Sequence, residues 1–238
     1  MAVSALARHL SGYRSMALVE FFASVMTLGL TLAFAHWDRL RLGDIGISPG
    51  HRSAPRFAIG ALIGFSLGTA HALISHALGH THWVRSPSSI LGPLVIAAIA
   101  FFFGALREEL AFHGYPLFRL DRNLGPWPAL LIVTIIFAAE HVAGGVTWFH
   151  AITGAAVGGL FFGLLALITR GIAMPVGAHA ALNFSLWLFG ARDSTGLFRI
   201  IPQNGFERSV ENNTTIAYIL VMSIAITVAL LYRRNAIH

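Results

Sequence analysis

The chain has 238 residues, of which 56% are apolar and only 11% charged, too few charges to clothe a soluble surface of this size. Its net charge of +6 comes wholly from arginine, since lysine is absent. The arginines fall singly or in pairs between apolar runs, as at Arg39, Arg41, Arg52 and Arg56, which excludes a nucleic-acid-binding patch and fits loop charges that orient helices in a bilayer. Cysteine is absent as well, so disulfides, thiolate metal sites and thiol nucleophiles are excluded.

The expected fold is all-α, a polytopic transmembrane helix bundle forming a single domain over residues 1–238. A spanning helix needs about 20 mainly apolar residues. Taken in order, the candidates are Met16–His36, Phe57–Gly79, Ile90–Phe118, Trp127–Val146, Phe149–Thr169, Ile172–Phe189 and Thr214–Tyr232. That makes about seven spans, with six to eight as the range. The segment from Met1 to Arg14 lacks the short apolar core and small-residue cleavage site of a removable signal, so the first span is expected to act as its own insertion signal. Gly190–Asn213, with Asp193, Glu207 and Glu211, reads as the longest polar connection. Counting arginines on each side, from Arg8 onward, leans the C-terminus toward the cytoplasm. The expected location is the plasma (inner) membrane of a prokaryote, with membrane lipid as a constant partner.

Small residues at Gly60, Gly64 and Gly68, and again at Gly154, Gly158 and Gly159, have the spacing of close helix packing. The run Gly64-Phe65-Ser66-Leu67-Gly68 also matches a serine-hydrolase nucleophile elbow, but that motif needs a strand-to-helix turn and this one falls inside a helix.

Ionisable groups at membrane depth are costly and mark function. Three clusters qualify: Arg107-Glu108-Glu109 with His113 in the third span, Glu140-His141 in the fourth, and His179 with Asn183 in the sixth. At about 1.5 Å per residue, Glu108, His141, His179 and Asn183 lie roughly 13–21 Å from one membrane face. His179 and Asn183 stack on one helix face, and Glu109 and His113 are spaced to pair while Glu108 points elsewhere. Adjacent carboxylates in a dry site repel, which favours a proton on one of them. The remaining histidines, His36, His71, His76, His80, His82 and His150, read as structural residues near helix ends and loops. Any one site residue alone is better explained as an interhelical hydrogen bond; joint depth and spacing carry the functional reading.

Glu108 with His141 can activate water, and His179 with Asn183 can donate to a developing oxyanion. Alternatively Glu108, His141 and His179 hold a divalent metal such as zinc. Both routes end in peptide hydrolysis in a water-bearing cavity within the membrane. A proton-coupled transporter also uses buried Glu and His, although the chain shows no internal repeat.

At these residues the sequence resembles the CPBP family, the Abi proteins related to type II CAAX prenyl endopeptidases. The Glu108-Glu109 pair, Phe137 with His141, and His179 with Asn183 match its three motifs in order, over about residues 90–190. The resemblance implies an intramembrane endopeptidase in which Glu108 activates water with His141, His179 and Asn183 stabilise the oxyanion, and Glu109 supports the site. It implies a peptide or protein substrate, including a lipidated one, and either a metal-free glutamate mechanism or a metalloprotease. Where the family carries arginine four residues after the second glutamate, this chain has His113, so a catalytically silent relative acting as a membrane scaffold is the further alternative.

Overall fold

The computed structural model describes residues 13–47, 49–85, 91–192 and 196–235. Arg8, Ile90 and Asp193, named above, lie outside them. The helices are α1 (Tyr13–Trp37), α2 (Ser53–Ala77), α3 (Leu91–Glu108), α4 (Tyr115–Leu124), α5 (Pro126–Ala143), α6 (Val157–Thr169), α7 (Ala173–Leu188) and α8 (Glu207–Asn235). Among the described residues, five helical stretches are long and apolar enough to cross a membrane: Arg14–Trp37, Ser53–Ala77, Pro126–Ala143, Trp148–Thr169 and Glu207–Arg234. They expose Phe22, Met26, Leu30, Leu62, Ile135 and Val228. Such surface invites association in water but is the natural contact with acyl chains. The chain is an all-α membrane bundle.

Two expected spans come out differently. The run expected as one helix over 90–118 is broken: α3 ends at Glu108, a π turn occupies Glu109–Gly114, and α4 starts at Tyr115. Gly114 leaves helical geometry at ψ −119°, and a proline falls in the first turn of α4, where its missing N–H costs no helical bond. A depth for Glu108 counted along one continuous helix from Arg119 therefore does not hold. Helix α4 buries Leu117 and Phe118, while Arg119 and Arg122 pair with Asp38 and Asp44. Helix α7 has 16 residues, about 24 Å at the helical rise, short of a bilayer core of about 30 Å. It is tolerated because it runs inside the bundle, with Pro175, Val176, Ala178, His179, Leu182 and Trp187 buried.

Close packing of α2 on α7 depends on glycine. A Cβ at Gly60 would strike the Met174 carbonyl, one at Gly64 the Ala178 carbonyl, and one at Gly177 the Phe57 carbonyl. The expected packing stripe is thus used on both faces of one contact. Ser66 sits mid-α2 and exposed, away from any strand-to-helix turn.

The polar connection between α7 and α8 holds a strand that hydropathy did not reveal. Strands β1 (Thr81–Arg85) and β2 (Phe198–Pro202) pair antiparallel, Thr81 opposite Pro202 and Arg85 opposite Phe198. Trp83 stacks on Phe189 at 5.9 Å, tying this sheet to the end of α7. One histidine is also corrected: His71 is no loop residue but lies within α2, 2% exposed. Its Nε2 stands 3.1 Å from the Thr214 carbonyl oxygen and 3.4 Å from Ser75 Oγ.

Candidate active site

The site forms where α3, its π turn, α5 and α7 meet. A π turn replaces i→i+4 bonding by i→i+5 bonding and occurs mostly as a single bulge, often at functional sites. Here it re-aims the two adjacent glutamates. Glu109 turns fully inward, with 0% exposure, while Glu108 stays at the edge of a cavity.

Glu109 is held from two helices. Oε2 accepts from His113 Nδ1 at 2.7 Å, within its own turn, and Oε1 accepts from His179 Nδ1 of α7 at 2.8 Å. The first bond is the pairing expected of these positions; the second was not foreseen. Because an ionised carboxylate only accepts, both histidines carry hydrogen on Nδ1. The His179 ring is further clamped by Phe162 of α6, stacked at 4.3 Å and 13°. Its other nitrogen, Nε2, points toward Glu108, 3.6 Å from Oε2.

Glu108 meets a cation of its own. Arg107 NH2 donates to Oε1 at 2.8 Å, while Arg107 Nε donates to Glu20 Oε2 of α1 at 2.8 Å. The repulsion expected between adjacent carboxylates is therefore met by separate partners, Arg107 for one and two imidazoles for the other. On α5, His141 Nδ1 donates to the Phe137 carbonyl oxygen at 2.9 Å, with Glu140 Oε2 3.2 Å from the same nitrogen. On α7, Asn183 Oδ1 accepts from Arg192 NH1 at 3.0 Å, which fixes the amide so that its NH2 is the group left to donate.

Glycines of α6 make room for this wall. A Cβ on Gly159 would enter the Phe137 ring, and one on Gly163 would strike Leu130 and crowd His113. Of the second glycine run, Gly158 approaches the Tyr218 hydroxyl in the same way, whereas Gly154 faces open space.

Glu108, His141, His179 and Asn183 all line one cavity of about 720 Å³, which extends past Tyr218 and Arg192 to Glu207 and Glu211. Glu109 and His113 lie behind it. Among the described residues no ion pair joins Glu108 directly to His141. Nor do three or more His, Asp or Glu side chains there form a group able to hold a metal ion, so Glu108, His141 and His179 share a cavity without gathering as a ligand set. Arg107, Glu20, Phe162 and Arg192 are the contributors the motifs did not name. Arg107 and Glu20 carried a readable signal, being charges inside apolar runs, and Phe162 lies in the run Phe161–Leu165 that shares the resemblance; Arg192 carried none.

A search of curated proteins returned no match. Residues 90–185 match the family described as Type II CAAX prenyl endopeptidase Rce1-like. The matched stretch holds all three motifs and ends within α7, so it is over residues 90–185 that this integral membrane protein is similar to the intramembrane CAAX proteases.

Proposed function

We propose that this protein is an intramembrane endopeptidase that hydrolyses a peptide bond with a water molecule activated by Glu108 and His141. The observation that carries the reading is the placement of Glu108, His141, His179 and Asn183 on one cavity, with the His179 ring clamped between Glu109 and Phe162. In the reaction, water enters between Glu108 and the His141 ring. Glu108 takes its proton as the oxygen attacks the scissile carbonyl carbon. The carbonyl oxygen becomes an oxyanion, received by the Asn183 NH2 and by the Nε2–H of a His179 ring protonated on both nitrogens, its Nδ1–H remaining on Glu109. Donors held in place before the reaction stabilise such charge most effectively in a site shielded from bulk water. The C–N bond then breaks, and the proton held by Glu108 passes to the leaving amine.

The fixed His179 is what separates this reading from a proton relay. A relay needs a ring free to exchange partners, whereas here Nδ1 is committed to a fully buried carboxylate and the ring face to Phe162. The substrate class we infer is a peptide segment presented at the membrane, including one carrying a lipid. Purified protein should cleave members of a panel of lipidated and unmodified peptides, assayed with and without chelator. Cleavage lost in Glu108→Ala supports the assignment. Proton flux into liposomes without any peptide cleavage would replace it with the transporter reading.

A further inference from the structure

The family match begins at residue 90, yet one charged contact at the site comes from α1, well before it. Arg107 spreads its guanidinium over three carboxylates from three helices. Nε donates to Glu20 Oε2 of α1 at 2.8 Å, NH2 donates to Glu108 Oε1 at 2.8 Å, and NH1 faces Glu140 Oε1 of α5 at 3.8 Å. Glu140 in turn stands against His141 Nδ1 through its second oxygen, at 3.2 Å. One planar cation thus touches the glutamate of the water-activating pair directly and the histidine through one carboxylate.

We propose that Arg107 is a positioning residue for Glu108, that Glu20 is its anchor, and that α1 therefore contributes to the active site although it lies outside the matched core. This rests on the endopeptidase reading above. The guanidinium offers donors in a fixed fork, so engaging Glu20 on Nε sets the plane in which NH2 presents to Glu108. With Oε1 of Glu108 taken by Arg107, the free oxygen, Oε2, is the one that faces His179 Nε2. Without Arg107 the Glu108 side chain would turn about its rotatable bonds, and a displacement of about 1 Å at a reacting group is enough to cost roughly 10²-fold in rate.

The alternative is a plain clamp between α1 and α3. Those helices have other attachments, however. Ser24 Oγ donates to the Phe103 carbonyl oxygen at 2.7 Å, and Phe21 meets the Phe103 ring edge-on at 5.0 Å. Removing the Glu20 charge leaves these in place, so α1 stays docked and the two explanations diverge.

The test compares unaltered protein with Arg107→Gln, Arg107→Lys and Glu20→Gln in peptide hydrolysis and thermal unfolding. In parallel, dicyclohexylcarbodiimide, which adds to carboxyl groups that carry a proton, is applied at neutral pH and the labelled glutamates are read by peptide mass spectrometry. Arg107→Gln should lower kcat by about 10- to 100-fold with KM nearly unchanged, and Glu108 should gain label. Lysine, able to reach one carboxylate but not to bridge two, should restore part of both. Glu20→Gln, nearly isosteric and the safeguard should Arg107→Gln misfold, should move kcat and label in the same direction with little change in melting temperature. Activity losses that merely track melting temperature, with Glu108 unlabelled, would reduce Arg107 to a clamp and overturn the proposal. Glu108-dependent hydrolysis indifferent to Arg107 overturns this role alone. Absence of Glu108-dependent hydrolysis in the unaltered protein overturns the endopeptidase reading and this role with it.

Discussion

Glu109 and His179 stand 70 positions apart in the chain, yet Oε1 of the one accepts a hydrogen bond from Nδ1 of the other at 2.8 Å inside the bundle. In the proposed reaction this bond lets the second glutamate of the pair act on chemistry it never touches. It sets which nitrogen of His179 reaches the cavity, as the buried acid does for the histidine of a hydrolase triad.

The site assignments lead to a graded set of losses. Glu108→Ala or His141→Ala should abolish hydrolysis while helix content and expression persist. His179→Ala and Asn183→Ala should mainly lower turnover, by about 10²–10³-fold for one lost oxyanion donor. Kinetics on purified variants, with circular dichroism as the control for folding, check both statements. Near-normal activity in either of the first two variants would reassign the water-activating pair.

Replacement of His113 by arginine, the residue found there in the family, should not improve this protein. The imidazole is fully buried, and a Cβ on neighbouring Gly163 would already lie 3.1 Å from its Cδ2. A longer side chain overfills that space, at about 1–3 kcal/mol. Thermal unfolding of His113→Arg should show the loss, and activity should fall with it. A variant as stable as the parent would mean that α6 yields and that the small ring is not what shaped this wall.

The glycine contact between α2 and α7 predicts a larger structural effect far from the chemistry. Gly64→Leu drives a side chain into the backbone of α7 at Ala178, one residue before His179. Overpacking of this kind costs about 1–3 kcal/mol or more. Because α7 would be displaced as a unit, hydrolysis should be lost along with thermal stability, whereas Ser66→Leu on the exposed face should leave both intact.

Acid sensitivity should arise outside the spans. Hydrogen bonds from Tyr115, and then from Arg119, hold the Asp38 carboxyl below its ordinary value of 3.8; the Arg41 backbone N–H, and then Arg122, do the same for Asp44. A carboxyl depressed in the folded state contributes stability that is fully present above its unfolded value and disappears as pH falls through the folded one. Melting temperature in detergent should therefore drop as pH falls below about 4. Asp38→Asn with Asp44→Asn should lie lower at neutral pH and meet the parent curve in acid. Parallel curves at all pH values would show that α4 is held by its buried Leu117 and Phe118 and not by these pairs.

Much of this molecule was legible from residue order alone. Apolar runs of spanning length, the absence of cysteine and lysine, and the polar clusters at Glu108-Glu109, His141 and His179-Asn183 are local properties, and hydrocarbon leaves a chain few ways to satisfy its backbone except as helices. The small-residue stripe at Gly60, Gly64 and Gly68 announced a close contact for the same reason. Pairings between helices are another matter, because periodicity reports which face is apolar and not which helix lies opposite. Only the tertiary structure decided that Arg107 reaches Glu20 on α1, that His179 binds Glu109, that Arg192 holds Asn183, and that His71 is enclosed by Thr214 and Ser75. It also decided that Thr81–Arg85 pairs with Phe198–Pro202, since the two segments lie far apart in the chain and a two-stranded pair is stable only when packed against other structure. The break between α3 and α4 belongs to both levels: Gly114 and Pro116 stood in plain sight, but only the fold turns Glu109 inward at the π turn, where His179 of α7 and His113 of its own turn both bind its carboxylate.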